Sequence, residues 1–188
     1  MRWRPGAGGP ALGLPLDALL DATVPLEELW GADAADALAE RLAAAPAAAD
    51  RAELLQDVVA GRSRAAGPPD PLVVAACRAV AAGARDGRPP AVGQLAAALG
   101  VSERQLLRRF RAAVGYGPRT LARVLRFQRF LAAAWGPPAG SALAAPARAP
   151  EHDLAALAAE AGYADQSHLT RACRQLAGTT PGALLAGD

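Results

Sequence analysis

Apolar residues recur along this chain at three- and four-residue spacing, the period of helices. In the first sixty residues, Leu16 to Leu20, Leu26 to Trp30 and Asp33 to Leu42 have that spacing, and a short amphipathic run covers Arg51 to Val59. Arg2 to Pro10 is too rich in Gly and Pro for a helix, and Gly61 to Pro69 reads as a linker. Asp70-Pro71 then opens a helix, with a carboxylate N-cap and a Pro in the first turn, where its missing N–H is not needed. Val73, Cys77, Val80 and Ala84 make one apolar stripe on it before Gly87 and Pro89-Pro90 stop it.

From Val92 onward the chain repeats itself. Gly100 matches Gly162 at an offset of 62, and after one extra residue the offset becomes 63: Leu106 with Leu169, Arg108 with Arg171, Arg111 with Arg174, Gly115 with Gly178, Pro118 with Pro181, Leu121 with Leu184. The extra residue falls in the turn after the Gly, where insertion is best tolerated. In the first copy, Val92 to Leu99 carries apolar residues at Val92, Leu95, Ala96 and Leu99. Gly100 can close that helix in a left-handed conformation, and Ser102 caps the next one. Two short helices joined so tightly predict a helix-turn-helix, whose second helix can lie in a DNA major groove.

On that second helix Leu106, Phe110 and Val114 face inward, while Arg104, Leu107, Arg108 and Arg111 form the opposite stripe at i, i+3, i+4 and i+7. Arg in such a stripe can reach guanine O6 and N7 with two hydrogen bonds, and Leu107 can touch a thymine methyl. Arg109 sits off the stripe and reads as a phosphate contact or a solvated side chain. In the second copy Asp153 caps a helix through Ala161, Gly162-Tyr163-Ala164 turns, and Asp165 caps the next helix, with Leu169, Cys173 and Leu176 inward. Gln166, Ser167, Thr170, Arg171 and Arg174 remain for the groove or its phosphate rim. Between the copies, Pro118 to Trp135 predicts a helix about 27 Å long, with Leu121, Val124, Leu125, Gln128 and Leu131 near one face. A Pro/Gly/Ala loop follows, Gly136 to Pro150. Successive major grooves on one face of DNA lie about 34 Å apart, so a helix of this length suits a monomeric two-headed reader.

Composition sharpens this picture. The chain has 188 residues, 4% aromatic and 20% charged, which fits one domain or two small ones. Ala dominates the apolar share and Ile is absent, which argues against a mostly-β fold. The net charge of +2 hides a division. Pro89 to Trp135 holds 8 Arg against Glu103 alone, whereas the segments on either side are net acidic. An unopposed Arg cluster is the footprint of a surface that meets phosphate. The competing reading of these features is a helical protein-interaction module, with the acidic N-terminal part pairing with another subunit.

Catalysis finds no constellation here. His152 and His168 are the only histidines, and no P-loop, dinucleotide Gly motif, metal-ligand spacing or nucleophile elbow is present. Cys77 and Cys173, far apart in sequence, read as small buried hydrophobes. Neither a cofactor nor a metal is expected. No apolar run is long enough to span a bilayer and Met1 to Pro10 has no apolar core of the signal-peptide kind, so a soluble cytoplasmic protein is expected, with no membrane partner.

The segments "VSERQLLRRF…VGYGP" and "LAALAAEAGYADQSHLTRACRQLAGTTPGALL" resemble the DNA-binding domain of AraC-type transcriptional regulators. The second is the more specific, with the order Gly-Tyr-x-Asp-x-Ser-His-Leu-x-Arg at Gly162 to Arg171 and Gly-x-Thr-Pro at Gly178 to Pro181. That family usually carries an aromatic where this chain has Cys173, and often Gln where it has Leu107. The resemblance implies a mainly α fold with two helix-turn-helix units, about 91–117 and 153–181, joined by a long linker helix in a homeodomain-like tandem within residues 69–188. Residues 1–66, with "RWRPG" and "VPLEELWG", look like a small irregular and helical remnant of the sensory domain that precedes this module in such regulators, plus a linker; its β-barrel is missing. The implied function is a transcription regulator that inserts two recognition helices into successive major grooves of promoter DNA. RNA polymerase is a further candidate partner, and a fragment of such a regulator is the alternative.

Overall fold

Ala-rich segments punctuated by Gly and Pro leave the backbone one economical way to pair its polar groups, and the chain takes it. The computed structural model describes residues 4–136 and 153–186. Among these residues the structure is mainly helical and contains no strand. The helices are α1 (Gly9–Leu12), α2 (Leu26–Trp30), α3 (Ala32–Ala44), α4 (Ala48–Ala65), α5 (Pro71–Arg85), α6 (Val92–Ala98), α7 (Glu103–Val114), α8 (Pro118–Trp135), α9 (Leu154–Ala161), α10 (Gln166–Ala177) and α11 (Pro181–Ala186), with a 3-10 turn at Leu16–Leu19. The contacts gather into two compact units. One takes residues 4–77 and 92–118, the other 78–91, 119–136 and 153–186.

In the first unit the 3-10 turn and α1 pack on α7, α1 also packs on α4, and α2 lies against α3. The segment before residue 67, set apart by composition, therefore shares a compact unit with the first repeat. Two expectations for this segment are corrected. The opening was expected to be non-helical through Pro10, yet α1 begins at Gly9, because Pro in a first turn lacks only an N–H that has no intrahelical partner. The linker expected from Gly61 is helical to Ala65. A Gly in a helix costs about 1 kcal/mol relative to Ala. Arg62 offsets this by donating from Nε to the Ala11 carbonyl at 3.3 Å and by stacking its guanidinium 4.3 Å from the centre of the Trp30 ring. The run expected as helical at Leu16 to Leu20 is the 3-10 turn.

Helix α5 opens as its sequence requires, with Asp70 Oδ1 accepting from the Leu72 N–H at 2.9 Å. Its apolar stripe Val73, Cys77, Val80 and Ala84 is buried throughout. Its end is unusually tight. The chain turns back at Arg88, whose N–H donates to the Gly83 carbonyl at 2.8 Å. A Cβ on Gly83 would lie 2.6 Å from the Arg88 carbonyl oxygen and 2.9 Å from Pro89 Cα, so Gly83 is the residue that lets the turn close.

The second unit has a continuous apolar core of Phe130, Ala134, Leu157, Ala158, Ala161, Tyr163, Leu169, Ala172, Cys173 and Leu185, with Phe127 and Leu131 packed against it. Its contribution from α8 differs from the expected stripe: Phe130 and Ala134 are buried, whereas Val124, Leu125, Gln128 and Leu131 are only half-buried. Cys173 fills its place with 0% exposure, and burial raises its thiol pKa. Cys77 is a buried thiol of the same kind, pushed up to about 11 by desolvation. The expected loop after Gly136, and His152, lie outside the described residues.

Candidate nucleic-acid interface

The two halves of the sequence repeat close their turns with the same backbone bonds. In the first, the Val101 N–H donates to the Ala96 carbonyl at 3.0 Å and the Gly100 N–H to Ala97 at 3.2 Å. In the second, Tyr163 donates to Ala158 at 2.8 Å and Gly162 to Ala159 at 3.0 Å, each partner displaced by 62 residues. This is the Schellman closure, which needs a left-handed residue after the helix; Gly100 and Gly162 supply it at φ 67° and 83°. The following helices are capped alike. Ser102 Oγ accepts from the Gln105 N–H at 3.2 Å, while Gln105 Oε1 accepts from the Ser102 N–H at 3.1 Å, a reciprocal capping box. Asp165 Oδ1 accepts from the His168 N–H at 2.6 Å. The extra residue of the second copy is Ala164, in the turn.

Each cap fixes the rotation of the helix behind it. On α7, Leu106 and Phe110 are fully buried and Val114 nearly so, which turns Arg104, Arg108 and Arg111 to solvent and leaves Leu107 half-buried beside them. None of these three guanidinium groups makes a hydrogen bond or ion pair among the described residues, and Glu103 is the one acid on the helix. On α10, Leu169, Ala172 and Cys173 are buried and Leu176 is half-buried. Gln166, Ser167, Arg171 and Arg174 are exposed, and Thr170, half-buried, donates its hydroxyl back to the Gln166 carbonyl at 2.9 Å. These five side chains line one open depression of about 330 Å3. Each row thus offers guanidinium forks, with polar groups between them on α10, able to meet phosphate or a purine edge.

Arg109 is corrected. Its side chain is 40% exposed but not spare: its guanidinium makes a two-point ion pair with Asp70, Nε to Oδ2 at 2.7 Å and Nη2 to Oδ1 at 2.6 Å. The same carboxylate caps α5, so one residue anchors α7 to the start of α5. His168 packs at the turn, edge-on to Tyr163 with ring centres 5.2 Å apart. Burial first, then the charges of Arg126 and Arg171, hold its imidazole below the ordinary histidine value.

Three α8 arginines were missed by reading α7 and α10 alone. Arg129 donates to the carbonyls of Ala84 at 3.2 Å, Arg85 at 3.1 Å and Glu160 at 2.7 Å, and so serves the C-terminal ends of α5 and α9. Arg123 and Arg126 line a cleft with Arg171. Their spacing, with Arg119 at i, Arg123 at i+4 and Arg126 at i+7, was the available signal. Comparison with protein-family models, with curated proteins and with solved structures gave no match.

Proposed function

We propose that the chain is a sequence-specific DNA-binding transcription regulator of the AraC type, with α6–α7 and α9–α10 as its two helix-turn-helix units. The observation that carries this reading is the pair of matched turns. Each is followed by a helix whose buried face orients an exposed row with no opposing acid on the row itself: Arg104, Leu107, Arg108 and Arg111 on α7, and Gln166, Ser167, Thr170, Arg171 and Arg174 on α10. In this reading Arg108 and Arg171, which occupy equivalent positions of the repeat, contact bases, and the outer arginines contact phosphates or bases nearby. One chain then covers two successive major grooves.

The test is a fluorescence-anisotropy titration of the full chain against DNA from upstream of its own gene and against a scrambled duplex, at several salt concentrations. Preference for the upstream sequence, with a salt slope of several ions, is expected. Weak and equal binding to both duplexes overturns the proposal and favours a protein partner for the arginine rows.

A further inference from the structure

Within the second unit, α8, the turn at Tyr163 and α10 enclose a cleft of about 240 Å3, lined by Arg123, Arg126, Tyr163, His168, Arg171 and Gln175 together with Ala172. Three of these side chains are guanidinium groups and none is an acid. Among the described residues, two of the donors are buried without a partner: Arg126 Nε and the Tyr163 hydroxyl. Such groups cost about 1–3 kcal/mol each when left unpaired, so their presence in one cleft calls for an acceptor. The Arg126 guanidinium carbon lies 5.6 Å from the centre of the Tyr163 ring, and both residues line this cleft. Arg123 is loosely held, with contacts of 3.4 Å to Gln175 Oε1 and to Thr120 Oγ1, and can turn toward a better acceptor. Asp86 lines an adjoining depression that shares Arg126, Tyr163 and His168, and is not part of this cleft.

We propose that the cleft is an oxyanion site, in which Arg126 Nε and the Tyr163 hydroxyl donate to one phosphate group while Arg123 and Arg171 supply flanking charge. The volume is below the roughly 300–1,000 Å3 of ordinary small-molecule sites, which suits a single compact group. Guanidinium forks match phosphate oxygens in pairs, and hydrogen bonds to an ionised acceptor are about twice as strong as neutral ones. Burial, its largest influence, pushes the Tyr163 phenol up to about 12, so the hydroxyl keeps its proton and acts as a donor at neutral pH. The phosphate can come from a duplex backbone, in which case the inference rests on the DNA-binding reading, or it can be free.

Two experiments separate these sources, using Arg126→Met and Tyr163→Phe, with the exposed Arg123→Gln as the variant that keeps the test alive if a buried one fails to fold. In the first, inorganic phosphate is titrated into the full chain at constant ionic strength while thermal unfolding is followed. In the second, duplex binding is measured across salt. A midpoint that rises with phosphate in the wild type and not in the variants assigns the site to a free anion. A salt slope smaller by about one ion in the variants, on upstream and scrambled duplex alike, assigns it to the backbone. Folded variants indistinguishable from wild type in both experiments overturn the site. A wild-type chain that does not prefer its upstream DNA overturns the reading of the previous subsection, while the phosphate titration still decides this one.

Discussion

Asp70 and Arg109, thirty-nine residues apart, are joined by two parallel hydrogen bonds of 2.6 and 2.7 Å, and the aspartate simultaneously caps the helix that it begins. The Arg109 hydrogen bond, aided by the Leu72 and Val73 N–H groups, holds the Asp70 carboxyl below its ordinary value of 3.8. A carboxyl depressed in the folded state contributes stability above its unfolded pKa and loses it as the pH falls through the folded one. Stability of the wild-type chain should therefore drop below about pH 3.8 more steeply than that of Asp70→Asn. At neutral pH, Asp70→Asn keeps the cap and loses the ion pair, whereas Asp70→Ala loses both and should be less stable by about 1 kcal/mol more. Urea midpoints of the two variants check this; equal values would remove the cap from the account.

Arg129 presents a different case, because its partners are carbonyls that have no second donor in their helices. Arg129→Ala should destabilise the second unit by about 1–3 kcal/mol, and Arg129→Lys should recover only part, since an ammonium lacks the planar fork that reaches carbonyls on α5 and α9 together. Calorimetry of the variants decides it. An unchanged midpoint in Arg129→Ala would mean that water serves those carbonyls equally well.

His168 is expected to make the second unit sensitive to mild acid. Its pKa lies below the ordinary 6.5, chiefly through burial and further through Arg126 and Arg171, so between the two values the unfolded chain binds the proton and the folded chain does not. Stability should then rise with pH across that window, fall as the pH drops below about 6.5, and level off beneath the folded pKa. His168→Gln should flatten this dependence when denaturation is followed between pH 5 and 7.5. A wild-type curve already flat over that range would contradict the assignment.

Arg108→Ala separates reading from mere attraction. The side chain is exposed and makes no hydrogen bond or ion pair among the described residues, so folding should change by less than about 0.5 kcal/mol, while affinity for the upstream duplex should fall by about 1–3 kcal/mol more than affinity for a scrambled one. Equal losses on both duplexes would reduce Arg108 to a phosphate contact.

The parts of this structure legible in the sequence are those whose signals are local. Ser102, Asp153, Asp165, Gly100 and Gly162 mark helix ends by short-range chemistry, and the inward faces of α7 and α10 follow from spacing alone. The rest depends on partners distant in the chain. Nothing near Arg109 announces Asp70, and nothing near Gly61 announces that Arg62 will find Ala11 and Trp30 and carry the helix through. Nothing near Gly83 announces Arg88 and Pro89, yet it sets how closely the following turn folds back. Arg123 and Arg126 carry a legible spacing, but only the placement of Tyr163 and Arg171 beside them gives that spacing a meaning.

The matched turns have a consequence for how such a chain can change. Their closure is written in backbone bonds and one glycine each, and their orientation in a handful of buried side chains, so the outward rows bear almost none of the folding. Substitutions at Arg104, Leu107, Gln166 or Ser167 can therefore accumulate one at a time without passing through an unfolded intermediate. The two copies already differ in this way, one row dominated by arginine and the other by neutral polar groups, on turns that close with the same two backbone bonds.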